Sequence, residues 1–219
     1  MTIFSEAELQ IWKPAEDISL WDWLGKYFVL SKEYSDVVGL YPRELVPVFK
    51  ILADWLDDPK IKEICCRKST QIGLTTFIVG WFVYRQYKRP GPGIFCMADQ
   101  ATAEEMSMLR FKNAFESAKC FQGIKSQTTK KGTTLITGGS VKMAWASSIA
   151  SIASSSTRDY AADEITKPGY NLKTQEGEPV GRLRYRAKGF DDRKGIITST
   201  VTIEGDRMHQ IEEDADCTY

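Results

Sequence analysis

Two short windows hold the residues whose types and spacing could do chemistry. The first runs Lys68, Ser69, Thr70, Gln71, Ile72, Gly73, Leu74, Thr75, Thr76, between a short apolar stretch and a longer one. A loop that cradles nucleotide phosphates is written Gly-x-x-x-x-Gly-Lys-Ser/Thr and joins a strand to a helix, where open backbone N–H groups and the helix dipole favour an anion. Here the second glycine is Gly73 and the hydroxyl residue is Thr75, placed to hold Mg2+. The first glycine is replaced by Lys68 and the usual lysine by Leu74. The missing cation can come from Lys68 at the head of the loop, since a lysine side chain reaches about 6 Å and can fold back over a phosphate. Arg67 is the alternative source. Taken by itself, the window reads equally as a polar turn between strand and helix.

The second window is Asp163-Glu164, at the end of the small apolar run Tyr160, Ala161, Ala162. Nucleotide hydrolysis needs an aspartate at a strand end to hold Mg2+ and a carboxylate that orients or deprotonates the attacking water. Asp163 fits the first role and Glu164 the second. Alone, the pair also reads as a solvated loop end. Weight comes from the order along the chain: phosphate loop, acidic pair, then a strand ending Thr198, Ser199, Thr200.

The elements that must position these residues follow from periodicity. Leu45, Val48, Phe49, Leu52 and Leu56 stand at helical spacing and predict a helix over 42–57, ended by Asp58-Pro59. Residues 61–66 predict a buried strand, the run from Phe77 to about Tyr87 a helix, and 94–98 the next strand. Asp99 is the expected N-cap of a helix over 101–118. Residues 127–146 predict a hairpin or meander turning at Gly138-Gly139, and 195–200 a further strand, followed by a helical piece holding His209. The serine-rich stretch 147–158 has the composition of a linker. Strands alternating with helices predict an α/β fold with a mainly parallel central sheet flanked by helices. Before it, Trp12, Trp21 and Trp23 among acidic residues predict a short N-terminal helical arm docked on the domain or on a partner.

Composition removes several classes of function. With 29 basic and 29 acidic residues the chain has no net charge, which argues against a protein that simply coats nucleic acid. His209 is the one histidine, so a histidine metal site lacks its ligands and a Ser-His-Asp hydrolase would depend on that single late residue. The five cysteines have no Cys-x-x-Cys spacing and predict free thiols. No apolar stretch approaches a membrane span, and the first residues lack a signal-peptide core.

The same motifs, in the same order, resemble the large-terminase family of tailed phages in its lambda-like branch, over roughly residues 20–215. The matching blocks are 30–35, the variant phosphate loop 68–76, the acidic segment 159–165, the Glu-Gly-Glu-Pro turn 176–179, Arg186 within Arg186-Ala187-Lys188-Gly189-Phe190, and 197–205 for the coupling motif. Val201 stands where that motif has proline, and Lys50 near the place of an adenine-sensing glutamine or arginine.

The resemblance implies a P-loop NTPase of the ASCE/RecA-like kind in residues 41–219, behind an arm of residues 1–40. It implies an ATPase that uses ATP and Mg2+, with the nucleotide on 68–76, metal held by Thr75 and Asp163, and Lys68, Glu164 and Arg186 catalytic. Arg186 would be an arginine finger reaching a neighbour's γ-phosphate, and the basic stretch around it would also meet DNA. Implied partners are double-stranded DNA, a homo-oligomeric ring at the capsid portal, the small terminase subunit and the portal protein, in the host cytoplasm and without a membrane. The family's large subunit usually continues into an RNase H-like nuclease, which these 219 residues do not reach. Two other readings share the motifs: a superfamily 2 helicase-like ATPase, and a P-loop scaffold inactivated at Leu74 that binds DNA or partners.

Overall fold

The computed structural model describes residues 14–171, 177–200 and 207–218. Its frame is an eight-stranded sheet built from β3 (Glu63–Arg67), β4 (Pro92–Met97), β5 (Ser126–Thr129), β6 (Gly132–Leu135), β7 (Ser140–Trp145), β8 (Asp159–Ala162), β9 (Lys194–Ser199) and β10 (Cys217–Thr218). The order across the sheet is β10-β3-β9-β8-β4-β7-β6-β5. All neighbours from β10 to β7 are parallel, and β5 and β6 add an antiparallel meander at one edge. β3, β4, β8 and β9 are buried along almost their whole length because helices cover both their faces.

One face carries α1 (Leu20–Tyr27), α2 (Phe49–Asp57) and α3 (Leu74–Lys88). It also carries α4 (Gln100–Glu105), a π-helical turn (Met106–Phe111) and α5 (Lys112–Ser117). Its core joins Trp23, Phe28, Phe49, Phe77, Trp81, Phe82, Phe95 and Phe111. The other face carries α6 (Ile149–Ala153), α7 (Pro179–Ala187) and α8 (Arg207–Glu212), over Ile152, Tyr160, Tyr170, Leu183 and Met208. α1 is followed by a small antiparallel pair, β1 (Val29–Leu30) and β2 (Gly39–Leu40). Of the aromatics expected to dock the N-terminal segment, Trp23 is fully buried against Tyr84 and Tyr87 of α3, Trp21 is partly buried, and Trp12 lies outside the described residues. α1 approaches α3 closely at Gly80, where a Cβ would stand 2.6 Å from Leu24 Cδ2. Among the described residues no helix is long and apolar enough to cross a membrane.

Three expectations change. The helix expected over 42–57 is α2 alone, beginning at Phe49, and Leu45 and Val48 lie exposed. Pro47 disfavours helical backbone at Val46, so the run cannot propagate through it. The helix over 101–118 is broken in register by the π turn, although Asp99 does cap it, accepting from the Thr102 N–H at 2.9 Å. The serine-rich stretch is not a linker. It contains α6, with Ile149 and Ile152 buried, and Ser151 Oγ accepts from the Trp145 N–H at 3.0 Å.

The N-terminal ends of the strands are fastened by two buried carboxylates. Asp159 is fully buried and accepts from Arg85 Nε at 2.9 Å and from Arg158 Nε and Nη2 at 2.9 and 2.6 Å. Glu63 takes Arg184 Nη2 at 2.6 Å and the Tyr160 hydroxyl, which joins α7 to β3 and β8. Removing one partner of such a cluster leaves charge buried and unpaired. Asp159→Ala is therefore expected to lower the unfolding free energy by about 3–5 kcal/mol. Urea denaturation read by tryptophan fluorescence measures this, and a loss under 1 kcal/mol would contradict the assigned role.

Candidate nucleotide site

The C-terminal ends of β3, β9 and β8 lie side by side, and each leads into one of the sequence windows. Register sets Arg67 beside Ser199 and Ala162 beside Ile197, so Lys68 and Asp163 leave the sheet on either side of β9, Asp163 two residues earlier along it. Lys68 N–H donates to Ser199 O at 3.0 Å and Asp163 N–H to Cys96 O at 3.1 Å, which pins both loop starts.

The loop then turns through two left-handed residues, Gln71 (φ 60°) and Gly73 (φ 81°), and α3 begins at Leu74. No side chain caps this helix, so its first-turn N–H groups stay open beside the loop. Gly73 meets this need without a Cβ penalty. Gln71 and Glu164 (φ 58°) are the two non-glycine residues with positive φ among those described, and they flank the same site. Such conformations persist where surrounding structure over-determines them. Leu74, at the position of the usual lysine, is 2% exposed and belongs to the core, so nothing polar can reach the loop from that residue.

The polar side chains converge on Asp163, itself 2% exposed. Its Oδ2 accepts from Thr75 Oγ1 at 2.7 Å and its Oδ1 from Thr198 Oγ1 at 2.5 Å. Lys68 Nζ lies 3.7 Å from Asp163 Oδ1 and donates to Glu164 Oε1. One constellation thus brings together Lys68, Thr75, Asp163 and Glu164 from the windows, and Thr198 in addition. Ser69, Thr70, Gln71 and Gly73 line the exposed crest of the loop, and Ile72 and Thr76 are partly buried. Arg67 is turned the other way, in a bidentate pair with Glu212 of α8. A carboxylate and a hydroxyl oxygen 2.7 Å apart form a hard-oxygen donor set that suits Mg2+, with Lys68 to offset phosphate charge.

Beyond the acidic pair, Ile165 N–H donates to Thr198 O at 3.2 Å, and Thr166 Oγ1 meets Ser199 Oγ at 2.7 Å and Thr200 O at 3.2 Å. Those bonds tie the loop after β8 to the end of β9, where the coupling motif was read. The motif's remainder, including Val201, lies outside the described residues.

Arg186 is not brought to this site. It sits in the last turn of α7, where its carbonyl accepts from the Thr157 N–H at 3.1 Å, beside the start of β8 and so at the opposite end of the strands. The basic stretch is helical and not extended, and Arg184 is consumed internally by Glu63 and Asp214. Glu178 caps this helix, accepting from Gly181 N–H at 2.6 Å, and pairs with Arg207; Glu176 lies outside the described residues. Lys50 pairs with Asp54 on the exposed side of α2. Sequence reasoning placed Thr198 at a strand end and in the coupling block without giving it a contact to Asp163, and it missed Arg110. Arg110 Nη1 donates to Thr76 Oγ1 at 3.0 Å, although 34 residues separate them.

Comparison with known proteins agrees with this geometry. The family model described as phage terminase large subunit gpA, ATPase domain, matches residues 35–217, and the chain belongs to that family. No curated protein matches the chain. Among solved structures, the HK97 bacteriophage large terminase aligns at TM-score 0.68 and 11% identity, over 91% of this chain and 42% of that one. A point mutant of the Thermus phage P74-26 large terminase ATPase domain aligns at 0.58 and 13% identity, over 77% and 72% of the two chains. These likenesses establish the P-loop NTPase fold. The chain spans well under half of the HK97 protein.

Thr198 lies in neither window, which makes it a direct test of the site's construction. Thr198→Val keeps the shape and leaves a buried oxygen of Asp163 short of a donor. It is expected to cost about 1–3 kcal/mol in denaturant unfolding, and an unchanged midpoint would show that Thr198 does not hold Asp163.

Proposed function

We propose that this terminase ATPase domain binds ATP on residues 68–76 and hydrolyses it, and that hydrolysis drives double-stranded DNA into a capsid. The observation that carries the reading is the convergence of Lys68, Thr75 and the two carboxylates on one crevice at the strand ends, where open α/β sheets bind ligands. The open N–H groups at the start of α3 receive the phosphates, and Thr75 and Asp163 are the residues that would hold Mg2+. When bound, that ion offsets charge on the phosphate oxygens and polarises the bond to be broken.

Lys68 takes the place of the lysine lost at Leu74. In the structure Lys68 pairs with Glu164, so the two groups assigned to catalysis lie within reach of one another. A γ-phosphate competing for Lys68 releases Glu164, which then orients the attacking water and accepts its proton. The inactive-scaffold alternative rested on the absence of a loop cation, and Lys68 supplies one from the other end of the loop. Family membership favours packaging over a helicase.

Arg186, at the far end of the sheet, can take part only across a subunit boundary, as a finger in a homo-oligomeric ring at the portal. The small terminase subunit, the portal protein and the host cytoplasm belong to the same reading.

Two experiments test this. In Mg·ATP turnover measured with DNA at high protein concentration, Lys68→Ala is expected to abolish hydrolysis and Arg67→Ala to retain it. Asp163→Asn should weaken Mg2+-dependent nucleotide binding, and Glu164→Gln should bind nucleotide but not hydrolyse it. Normal turnover in Lys68→Ala, or in both acidic variants, overturns the assignment. For the ring, blending Arg186→Ala with Lys68→Ala subunits at fixed total protein should restore part of the activity that each lacks. An arginine finger is worth ~10³–10⁵ in rate, so recovery would be plain. None, where the ring forms, removes Arg186 from catalysis.

A further inference from the structure

The chain is neutral as a whole, but its charges are not evenly placed. Between Glu116 and Asp159 lie 42 consecutive residues without one acidic side chain, although 29 acidic residues spread over 219 positions would put five or six there. The stretch holds six basic residues: Lys119, Lys125, Lys130, Lys131, Lys142 and Arg158. Arg158 is buried on Asp159, and Lys142 is held by Ser151 O at 2.6 Å and by Ser154. The other four are exposed on or beside the β5–β6 meander at the sheet edge. Of these, Lys130 has an ion pair, with Glu104 at 3.1 Å, and the rest have none among the described residues.

The meander spaces these charges for a polyanion. Lys125 precedes β5, and Lys130 and Lys131 form its turn into β6, so five residues of extended chain hold them about 17 Å apart. That is roughly the rise of five base pairs. Between them Ser126, Gln127 and Thr129 are exposed, offering neutral donors to phosphate oxygens. On α7, by contrast, Arg184 is already paired with Glu63.

One turn of helix joins this edge to the phosphate loop. In the π-helical turn, Ser107 Oγ donates to Thr129 O at 2.6 Å, directly at the meander's lysine-bearing turn. Three residues on, Arg110 donates to Thr76 Oγ1 at 3.0 Å and lies over the Tyr34 ring. Thr76 follows Thr75, the hydroxyl bonded to Asp163. Among the described residues Arg110 has no ion pair, and its side chain donates to the Thr76 hydroxyl. π-Helical turns are rare and recur at functional sites.

We propose that the β5–β6 meander is the surface that meets the phosphate backbone of duplex DNA, and that the π-helical turn beneath it ties that surface to the nucleotide site. The proposal rests on the packaging reading above and names the face that does the gripping. The contact is to phosphates and not to base edges, so it carries no sequence preference, and each lysine engaged releases counterions.

The test is binding of the chain to a duplex of mixed sequence, followed by fluorescence anisotropy over a range of salt concentrations, beside basal and DNA-stimulated ATP turnover. The triple variant Lys125→Gln, Lys130→Gln, Lys131→Gln is expected to lose affinity and to flatten the plot of log K against log salt by about 2–3 units, at roughly 0.9 per phosphate contact. Its turnover without DNA should match the unaltered chain. The control pair Arg182→Gln, Lys188→Gln should keep the full slope.

Arg110→Ala should keep the slope and lose the stimulation by DNA, a ratio that a merely structural role would not move selectively. A slope unchanged in the triple variant, or lost in the α7 pair instead, overturns the surface assignment. Self-association of the triple variant with an unchanged slope would show that the lysines only guard an open sheet edge, which also overturns it. Stimulation intact in Arg110→Ala removes the link. If the unaltered chain binds no duplex at any salt, the DNA part of the packaging reading fails together with the surface. Binding with an unchanged slope in the triple variant leaves that reading standing and removes the surface alone.

Discussion

The buried carboxylate of Asp163 is the point on which the site depends. A carboxylate at 2% exposure is tolerable only if its oxygens are occupied, and here they take hydroxyls from two different elements, with an ammonium close by. Thr75 belongs to the first turn of α3, Thr198 to the end of β9, and Lys68 to the loop leaving β3. Satisfying one acid therefore fixes the relative positions of three strand ends and a helix start. The insertion of β9 between β3 and β8 makes this possible, because it brings Thr198 between the loop and the acid.

The opposite ends of the same strands use the same physics for another purpose. Asp159 and Glu63 are buried and held by arginines. Tyr160 lies against Gly195, which leaves no room for a Cβ, and its hydroxyl closes the Glu63 cluster. β8 therefore begins on a carboxylate locked by two guanidiniums and leads into one whose partners can change. Both ends cost desolvation. At one end the return is rigidity, and at the other it is a site with an exchangeable cation.

Much of this was legible from the chain itself. The alternation of apolar runs and helices, the Asp99 cap and the order of the two windows depend on neighbours in sequence, which is where pattern reasoning is strong. The errors have specific causes. Helical spacing from Leu45 to Leu56 was real, but Pro47 stops the helix, leaving the first two apolar residues of the pattern, Leu45 and Val48, in solvent. Serine content hid α6, whose burial rests on Ile149 and Ile152 three positions apart. Within the basic stretch 182–188, the pairing of Arg184 could not be read locally, because the carboxylates that hold it lie 121 and 30 residues away. The bond of Thr198 to Asp163 and the place of Arg110 were invisible for the same reason: the partners are neighbours only after folding.

The zero net charge is the feature most easily misread. It speaks against tight, indiscriminate binding of nucleic acid, yet it is compatible with a grip that must form and release repeatedly. A translocating subunit has to let go on every cycle, so a few exposed lysines on one edge serve it better than a uniformly basic surface. Placing those lysines on the antiparallel meander, outside the parallel core, keeps them clear of the acids that line the phosphate loop. Ser107 and Arg110, three residues apart on one turn, touch the meander and the loop respectively, so that a shift at either end meets the same short piece of backbone.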